Sequence, residues 1–299
     1  MGLVHLSNGN NLGFEKREIP CYERASIFVS LIVLGLAFLP EMELPTRTFS
    51  FRVLGSLASI RLSTTWLMTA LLASLACTGT DSLIRSHPLV RWGEIHYTFA
   101  FWALPGLSVV TATLLLPLVP NGTALLRQFV APLRPYWLGG LALTAFLLLL
   151  IAVAQYHTVD PTDPGYRLAR LALNILVYLV ALGLFILIYS SKTRSLLSAT
   201  TTAAVGSLLA LELLRGVHHN LRLTGLYTLT TGLALGEVTW ALNYWTVGRL
   251  TGGLLLLLVF YLVTGLSRER LLQRLNRRTL VEFALVALVG LGLIIKYRP

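Results

Sequence analysis

The chain has 299 residues, of which 55% are hydrophobic and only 12% are charged. Soluble domains contain about 25% charged residues, so this composition excludes an ordinary soluble globular protein. The net charge of +11 comes mostly from Lys and Arg scattered singly between apolar stretches. That distribution argues against a nucleic-acid partner and suits anchoring in a lipid bilayer.

Apolar stretches of nearly membrane-spanning length follow one another along the whole chain. A helix that rises 1.5 Å per residue needs about 20 residues to cross a hydrocarbon core of about 30 Å. We therefore predict an all-α polytopic transmembrane helix bundle with about nine spans, which forms a single integral membrane domain over residues 1–299. The nine predicted spans are 25–41, 62–79, 97–119, 136–155, 167–190, 196–214, 223–245, 247–266 and 280–296.

Three stretches outside these spans are more polar. Residues 1–24 form a polar N-terminal segment, and residues 44–61 predict either an interfacial helix or a folded loop. Residues 267–279 predict a short basic amphipathic helix, because leucines recur at helical spacing opposite a set of arginines. We interpret this set as an orientation signal rather than a docking site. Its members are Arg268, Arg270, Arg274, Arg277 and Arg278.

The distribution of basic residues between alternate loops predicts an orientation. Lys and Arg are more numerous in the N-terminal segment and in the loops after spans 2, 4, 6 and 8 than in the other loops. The positive-inside rule then places the N-terminus in the cytoplasm and the C-terminus outside.

Glu237 is the ionisable residue that lies deepest in a predicted span. Helical spacing places Thr230, Ala234, Glu237, Trp240 and Tyr244 on one face, and Asn243 is a further candidate. A carboxylate at this depth is costly, so we expect it to face the bundle interior. It would either line a polar cavity for an ion or solute, or form a structural hydrogen bond to a neighbouring helix, with the hydroxyls of threonines 200–202 as candidate partners.

Two further patterns accompany this segment. Gly232 and Gly236 form a small-xxx-small pair, which predicts the close approach of another helix. Glu212 and Arg215 end the sixth span at a spacing that allows pairing on one helix face. We expect the second pair to lie at the surface near the lipid headgroups.

The histidines fall on the predicted cytoplasmic side of the chain. His157, Asp160 and Asp163 stand three residues apart in one loop, and His218 and His219 lie in another loop on the same side. Imidazole and carboxylate groups could bind a divalent metal there. The alternative is a chance grouping, which we prefer because two prolines interrupt the first loop.

Catalytic signatures are missing from the sequence. It contains no aspartate-rich diphosphate motif, no HExxH, no GxSxG and no Walker loop. An enzyme is therefore disfavoured, and no cofactor is indicated.

One stretch carries a resemblance to a known family. GEVTWALNYW at 236–245, followed by Gly252, Gly253 and a leucine run ending in VFY at 259–261, resembles a family of bacterial multi-pass membrane proteins labelled only as a domain of unknown function. The resemblance covers most of spans 3 to 9. It implies a protein of the bacterial cytoplasmic membrane and no particular activity, ligand or cofactor.

Two hypotheses for function follow. The first is a non-catalytic accessory or assembly component whose partners are the lipid bilayer and other membrane subunits. The second is a small-solute or ion transporter that uses the polar face around Glu237.

Overall fold

Helices dominate the architecture of the chain. The computed structural model describes residues 12–39, 47–53, 56–62, 64–91, 98–116, 133–191, 195–217, 221–245 and 247–296. Each of the nine predicted apolar segments overlaps a helix. The elements are α1 (Leu12–Phe38), β1 (Arg47–Val53), β2 (Ser56–Leu62), α2 (Thr64–Arg85), α3 (Pro88–Arg91), a 3-10 turn (Phe99–Phe101), α4 (Ala103–Leu115), α5 (Leu133–His157), α6 (Tyr166–Ser190), α7 (Ser195–Leu214), α8 (Leu221–Asn243), α9 (Arg249–Leu271) and α10 (Arg277–Lys296).

Five of the described helices are long and apolar enough to cross a membrane, where nine were predicted. They are α2, α5, α6, α7 and α9, and the segment from Phe99 to Leu115 forms a shorter apolar helix. The prediction of an apolar helical bundle is confirmed at this coarser level.

The prediction of an all-helical chain fails at one place. β1 and β2 form an antiparallel hairpin in which Arg47 pairs with Leu62 and Val53 pairs with Ser56. Over the described residues of the segment 44–61, the alternative of an interfacial helix is therefore wrong, and the chain folds into a hairpin instead. Residues 49–53 alternate apolar and polar side chains in the sequence FSFRV, a period that fits a strand and not a helix.

Small residues allow the closest helix packing in the bundle. A Cβ atom on Gly232 of α8 would collide with the Ser207 side chain and the Ala203 carbonyl of α7. Gly236 lies one turn further along, where a Cβ atom would stand 3.1 Å from the Ala203 Cβ atom. The predicted close approach at this glycine pair is confirmed, because the backbones of α7 and α8 nearly touch there.

Two apolar clusters hold most of the remaining helices. The larger surrounds α6, where Phe185 packs edge-on against Phe260 of α9 with ring centroids 5.8 Å apart. The smaller joins α1, α2, α4 and α5 around Ile32 and Leu72. Glycine contacts show the antiparallel packing of successive helices: Gly232 and Gly236 of α8 meet Ser207 and Ala199 of α7, and Gly265 and Gly290 meet Phe283 and Leu258 across α9 and α10. With this alternation, α2, α5, α7 and α9 end on the side where α4, α6, α8 and α10 begin. We call this side of the bundle the proximal end and the opposite side the distal end.

The predicted amphipathic helix over 267–279 is wrong. α9 continues to Leu271 and α10 begins at Arg277, so the segment consists of two helix ends and a short turn. Gln273 closes α9 with a positive φ of 55°. The amide of Arg274 donates to the Glu269 carbonyl, and the amide of Gln273 donates to the Arg270 carbonyl, both at 3.0 Å. These hydrogen bonds form a Schellman motif, which satisfies the free carbonyls of the last turn and stops the helix. The five arginines of this segment are all exposed.

Candidate functional site

Glu237 does not face the bundle interior, so its predicted orientation is wrong. The residue is exposed on the outer surface of α8, about 9 Å before the end of that helix at 1.5 Å per residue. Among the described residues, none forms a hydrogen bond or ion pair with its carboxylate. The expected partners at threonines 200–202 instead donate their hydroxyls to carbonyls of their own helix.

Of the other polar and aromatic residues predicted around Glu237, three share its outward face and Asn243 does not. Trp240 and Tyr244 are 52% and 74% exposed and pack edge-on with ring centroids 5.8 Å apart. Thr230 is exposed and donates to the Tyr227 carbonyl at 2.9 Å. Asn243 points toward α7, where its amide donates to the Ser198 hydroxyl at 2.8 Å. An outward-facing surface, which we call the α8 stripe, thus comprises Leu226, Thr230, Leu233, Glu237, Trp240 and Tyr244.

Glu212 and Arg215 pair as their spacing predicts, with 2.8 Å between Arg215 Nη2 and Glu212 Oε1. The expectation that this pair lies at the surface is wrong, because the side chains of Glu212 and Arg215 are only 1% and 7% exposed. They lie at the end of α7, at the proximal end, under the loop that joins α5 to α6. A buried ion pair stabilises the fold only if the attraction between the charges and their hydrogen bonds offsets the free energy lost when both groups leave water.

Neighbouring residues compensate part of that loss. Arg215 Nη2 lies 3.3 Å from the hydroxyl of Thr158, to which it donates, and the guanidinium stacks 3.8 Å from the centre of the Phe101 ring. Arg170 does not add to this compensation, because its side chain donates to the Leu213 carbonyl at 2.6 Å and its positive charge opposes that of Arg215. Burial lowers the pKa of Arg215 to about 10, and Glu212 opposes this shift. Arg215 is therefore still positively charged at neutral pH.

Several buried polar atoms in this region accept or donate no hydrogen bond within the described part of the chain. They are Oε1 and Nε2 of Gln155, Oε2 of Glu212 and Nη1 of Arg215, whereas Oε1 of Glu212 is held in the ion pair with Arg215. Gln155 is fully buried and lies one turn before Thr158. We call Gln155, Thr158, Glu212 and Arg215 the buried polar cluster. Buried polar atoms are normally hydrogen-bonded, so this cluster has unused capacity to bind water or a small polar ligand.

The first of the two loops predicted to bind a metal uses its acidic residues internally. His157 Nδ1 lies 2.9 Å from Asp163 Oδ2, and Asp163 Oδ1 accepts the amide of Gly165 at 2.7 Å. Asp160 accepts both the amide and the hydroxyl of Thr162, at 2.8 and 2.7 Å. These bonds stabilise the turns between α5 and α6.

No group of three described His, Cys, Asp or Glu side chains could hold a metal ion. His218 and His219 lie outside the described residues, so the two-loop metal site stays a prediction. His87 packs edge-on against the Tyr156 ring with centroids 4.9 Å apart. Burial lowers its pKa below the ordinary value, although Asp160 and Asp163 oppose the shift.

Comparison with known proteins identifies the family. A family model described as "Protein of unknown function (DUF5656)" matches residues 44–296. The resemblance to a domain of unknown function is thereby confirmed, and it extends beyond spans 3 to 9 to most of the chain. No curated protein and no solved structure matches the chain.

Proposed function

We propose that this chain, which belongs to the DUF5656 family, is a multi-pass membrane protein whose α8 stripe docks against a transmembrane helix of another subunit. In this proposal it is a non-catalytic accessory or assembly component of a bacterial cytoplasmic membrane. The partner helix carries a basic or hydrogen-bond-donating side chain at the depth of Glu237. The observation that supports docking is the exposed carboxylate of Glu237.

The proposed insertion has nine spans, with the N-terminus in the cytoplasm. Five helices meet the length and hydropathy that a span requires. Together with α1, α4, α8 and α10 they form a series of nine described helices that alternate in direction along the chain. Large apolar side chains are exposed on the outer faces of helices in both groups, for example Leu31, Phe146 and Leu288. An outer surface of this kind suits contact with acyl chains rather than water.

The position of Glu237 relative to the aromatic residues makes a partner necessary in this proposal. Trp and Tyr concentrate at the level of the lipid headgroups, and Trp240, Tyr244 and Trp245 are all exposed near the distal end of α8. Glu237 lies one turn closer to the bilayer centre than Trp240. A lone carboxylate on the hydrocarbon side costs several kcal/mol, whereas a donor on a neighbouring helix removes most of that cost.

Substitutions at Glu237 test the docking proposal. Glu237→Gln keeps the ability to accept a hydrogen bond, so the complex extracted in mild detergent should keep its native-gel size. Glu237→Leu cannot accept a hydrogen bond, so the complex should dissociate to the single chain while the protein accumulates normally. Glu282→Leu removes an exposed carboxylate of α10 that already pairs with Arg278 at 3.1 Å, and it serves as the control. A wild-type chain that migrates alone, or a Glu237→Leu complex of unchanged size, would contradict the proposal.

A second candidate function is the handling of a small polar solute or ion, but at a different place from the predicted one. Glu237 faces outward and lines no described cavity, which removes support for transport through its face. The buried polar cluster instead contains four polar atoms without a described hydrogen bond or ion pair. Such atoms suit a hydrated pathway that opens at the proximal end.

Cysteine labelling tests this second candidate. In a chain whose Cys21 and Cys77 are replaced by Ala, Gln155→Cys should react with a small water-soluble thiol reagent if the cluster is hydrated. Leu148→Cys is the control, because Leu148 is 3% exposed and lies about two turns deeper in α5. Equal, negligible labelling of both variants would contradict a hydrated pathway.

A further inference from the structure

A cavity of about 350 Å³ lies between the start of α8 and the end of α9. Its volume falls in the range of about 300–1,000 Å³ that is typical of small-ligand sites. Leu223, Leu271 and Leu275 form one part of its wall, and the polar part consists of Tyr227, Arg270 and Gln273. The lining is therefore amphipathic, with a cation on its polar side.

The charge around this cavity is strongly positive. Arg270 is exposed, and no described carboxylate pairs with it. The segment from 267 to 282 contains five arginines and only two acidic residues, Glu269 and Glu282. Glu282 pairs with Arg278 at 3.1 Å, and Glu269 does not line the cavity. An anionic group is thus the complementary ligand for Arg270.

The depth of the cavity matches the interface between water and lipid. Tyr227 lies six residues into α8, about 9 Å from the helix start, whereas Gln273 and Leu275 belong to the turn beyond α9. The lining thus extends from the proximal loop into the first turns of α8. A ligand with a charged head and an apolar tail fits a cavity that extends from water towards the apolar part of the bundle. Its head contacts Arg270, and its tail runs along the leucines.

We infer that this cavity binds the phosphodiester headgroup of one anionic phospholipid. Arg270 forms the charge-assisted hydrogen bond to the phosphate, and the hydroxyl of Tyr227 and the amide of Gln273 donate to headgroup oxygens. The leucines contact the first part of an acyl chain. This inference rests on the proposed membrane insertion and is independent of docking at the α8 stripe.

Lipid retention by the purified full-length chain tests this site. The chain is reconstituted in phosphatidylcholine nanodiscs that contain a small fraction of phosphatidylglycerol with the same acyl chains, and bound lipid is measured by native mass spectrometry. Wild-type protein should retain one phosphatidylglycerol per chain. Arg270→Gln should lower its affinity about tenfold, the factor expected for losing one hydrogen bond to a charged group. Arg270→Lys should keep most of the affinity and shows that the site still folds.

Arg278→Gln is the matched control, because it removes one positive charge from the nearby start of α10, outside the cavity lining. It should lower the affinity less than fivefold, the diffuse effect of one charge near an anionic surface. Equal losses in Arg270→Gln and Arg278→Gln would overturn the inference in favour of unspecific attraction. Displacement of the lipid by millimolar inorganic phosphate would overturn it in favour of a site for soluble anions.

A separate readout keeps the inference distinguishable from the proposed function. Resistance of the wild-type chain to carbonate extraction from phosphatidylcholine vesicles reports membrane insertion alone. Extraction by carbonate would contradict the proposed function. Firm insertion without preferential retention of phosphatidylglycerol would contradict only the lipid site.

Discussion

The buried ion pair between Glu212 and Arg215 allows a quantitative test of how the proximal end is stabilised. Arg215→Met removes the cation and leaves the Glu212 carboxylate, whose residue is only 1% exposed, without its charged partner. Breaking a buried pair in this way destabilises a protein by about 3–5 kcal/mol, because one charge stays buried and unpaired. Glu212→Leu should cost a similar amount, since it leaves the buried Arg215 uncompensated.

The double variant Glu212→Leu/Arg215→Met should be much more stable than either single variant. Replacing both charges by apolar groups of similar volume is often neutral or stabilising. We therefore expect the double variant to lie within about 1 kcal/mol of the wild type, because no unpaired charge remains. The double-mutant cycle then gives a coupling energy of several kcal/mol.

Unfolding in detergent micelles by a chemical denaturant, followed by circular dichroism, measures these differences. The exposed pair between Arg278 and Glu282 supplies the matched control, with side chains 89% and 63% exposed. Solvent screening limits such a pair to about 0.2–1 kcal/mol, so Arg278→Met should change stability little. Additive effects of the Glu212 and Arg215 substitutions, or single-variant losses no larger than at the control pair, would refute the reasoning.

Three further substitutions test packing, helix termination and pH dependence. Gly232→Ala should destabilise the protein by more than 1 kcal/mol. Gly225→Ala is the control and should not, because nothing lies within 4 Å of a Cβ atom at Gly225. Thermal unfolding measures both variants, and equal unfolding temperatures would contradict the close α7–α8 packing. Gln273→Gly should stabilise the protein by about 0.5–1 kcal/mol, since glycine adopts the left-handed conformation without strain, and an unchanged or lower denaturant midpoint would speak against it. Burial lowers the pKa of His87 in the folded state. As the pH falls, the imidazole of His87 is therefore protonated in the unfolded chain before it is protonated in the folded one. The contribution of neutral His87 to the free energy of unfolding is fully present above about pH 6.5. It is lost as the pH falls through the folded-state pKa. His87→Phe should reduce this acid-side loss in a pH series of unfolding measurements, and an unaltered slope would contradict the role of His87.

Local patterns in the sequence predicted the features that depend only on neighbouring residues. The spacing of Gly232 and Gly236 leaves a shallow groove on one helix face, so close packing could be predicted without knowing which helix lies opposite. The pairing of Glu212 with Arg215 likewise follows from one helical turn. In both cases the geometry of a single helix is sufficient.

Features that depend on the arrangement of several helices could not be predicted in the same way. α8 is apolar on all sides, with Leu226 and Leu233 exposed and Leu235 buried, so hydropathy does not indicate which side Glu237 faces. The burial of Glu212 depends on the α5–α6 loop and Phe101, which are distant in sequence. The hairpin of β1 and β2 was missed because its basic residues suggested an interface helix, although the alternation in FSFRV is a signal for a strand.

Site-specific photo-crosslinking from the α8 stripe tests the central proposal most directly. A photoreactive amino acid at Leu233, one turn from Glu237, should form a discrete adduct with another membrane subunit in intact cells. The adduct should persist in Glu237→Gln and disappear in Glu237→Leu. The same probe at Leu143, which is 58% exposed on α5, should give no such adduct. Identical crosslinking from positions 233 and 143, or an adduct that survives Glu237→Leu, would contradict docking through the α8 stripe.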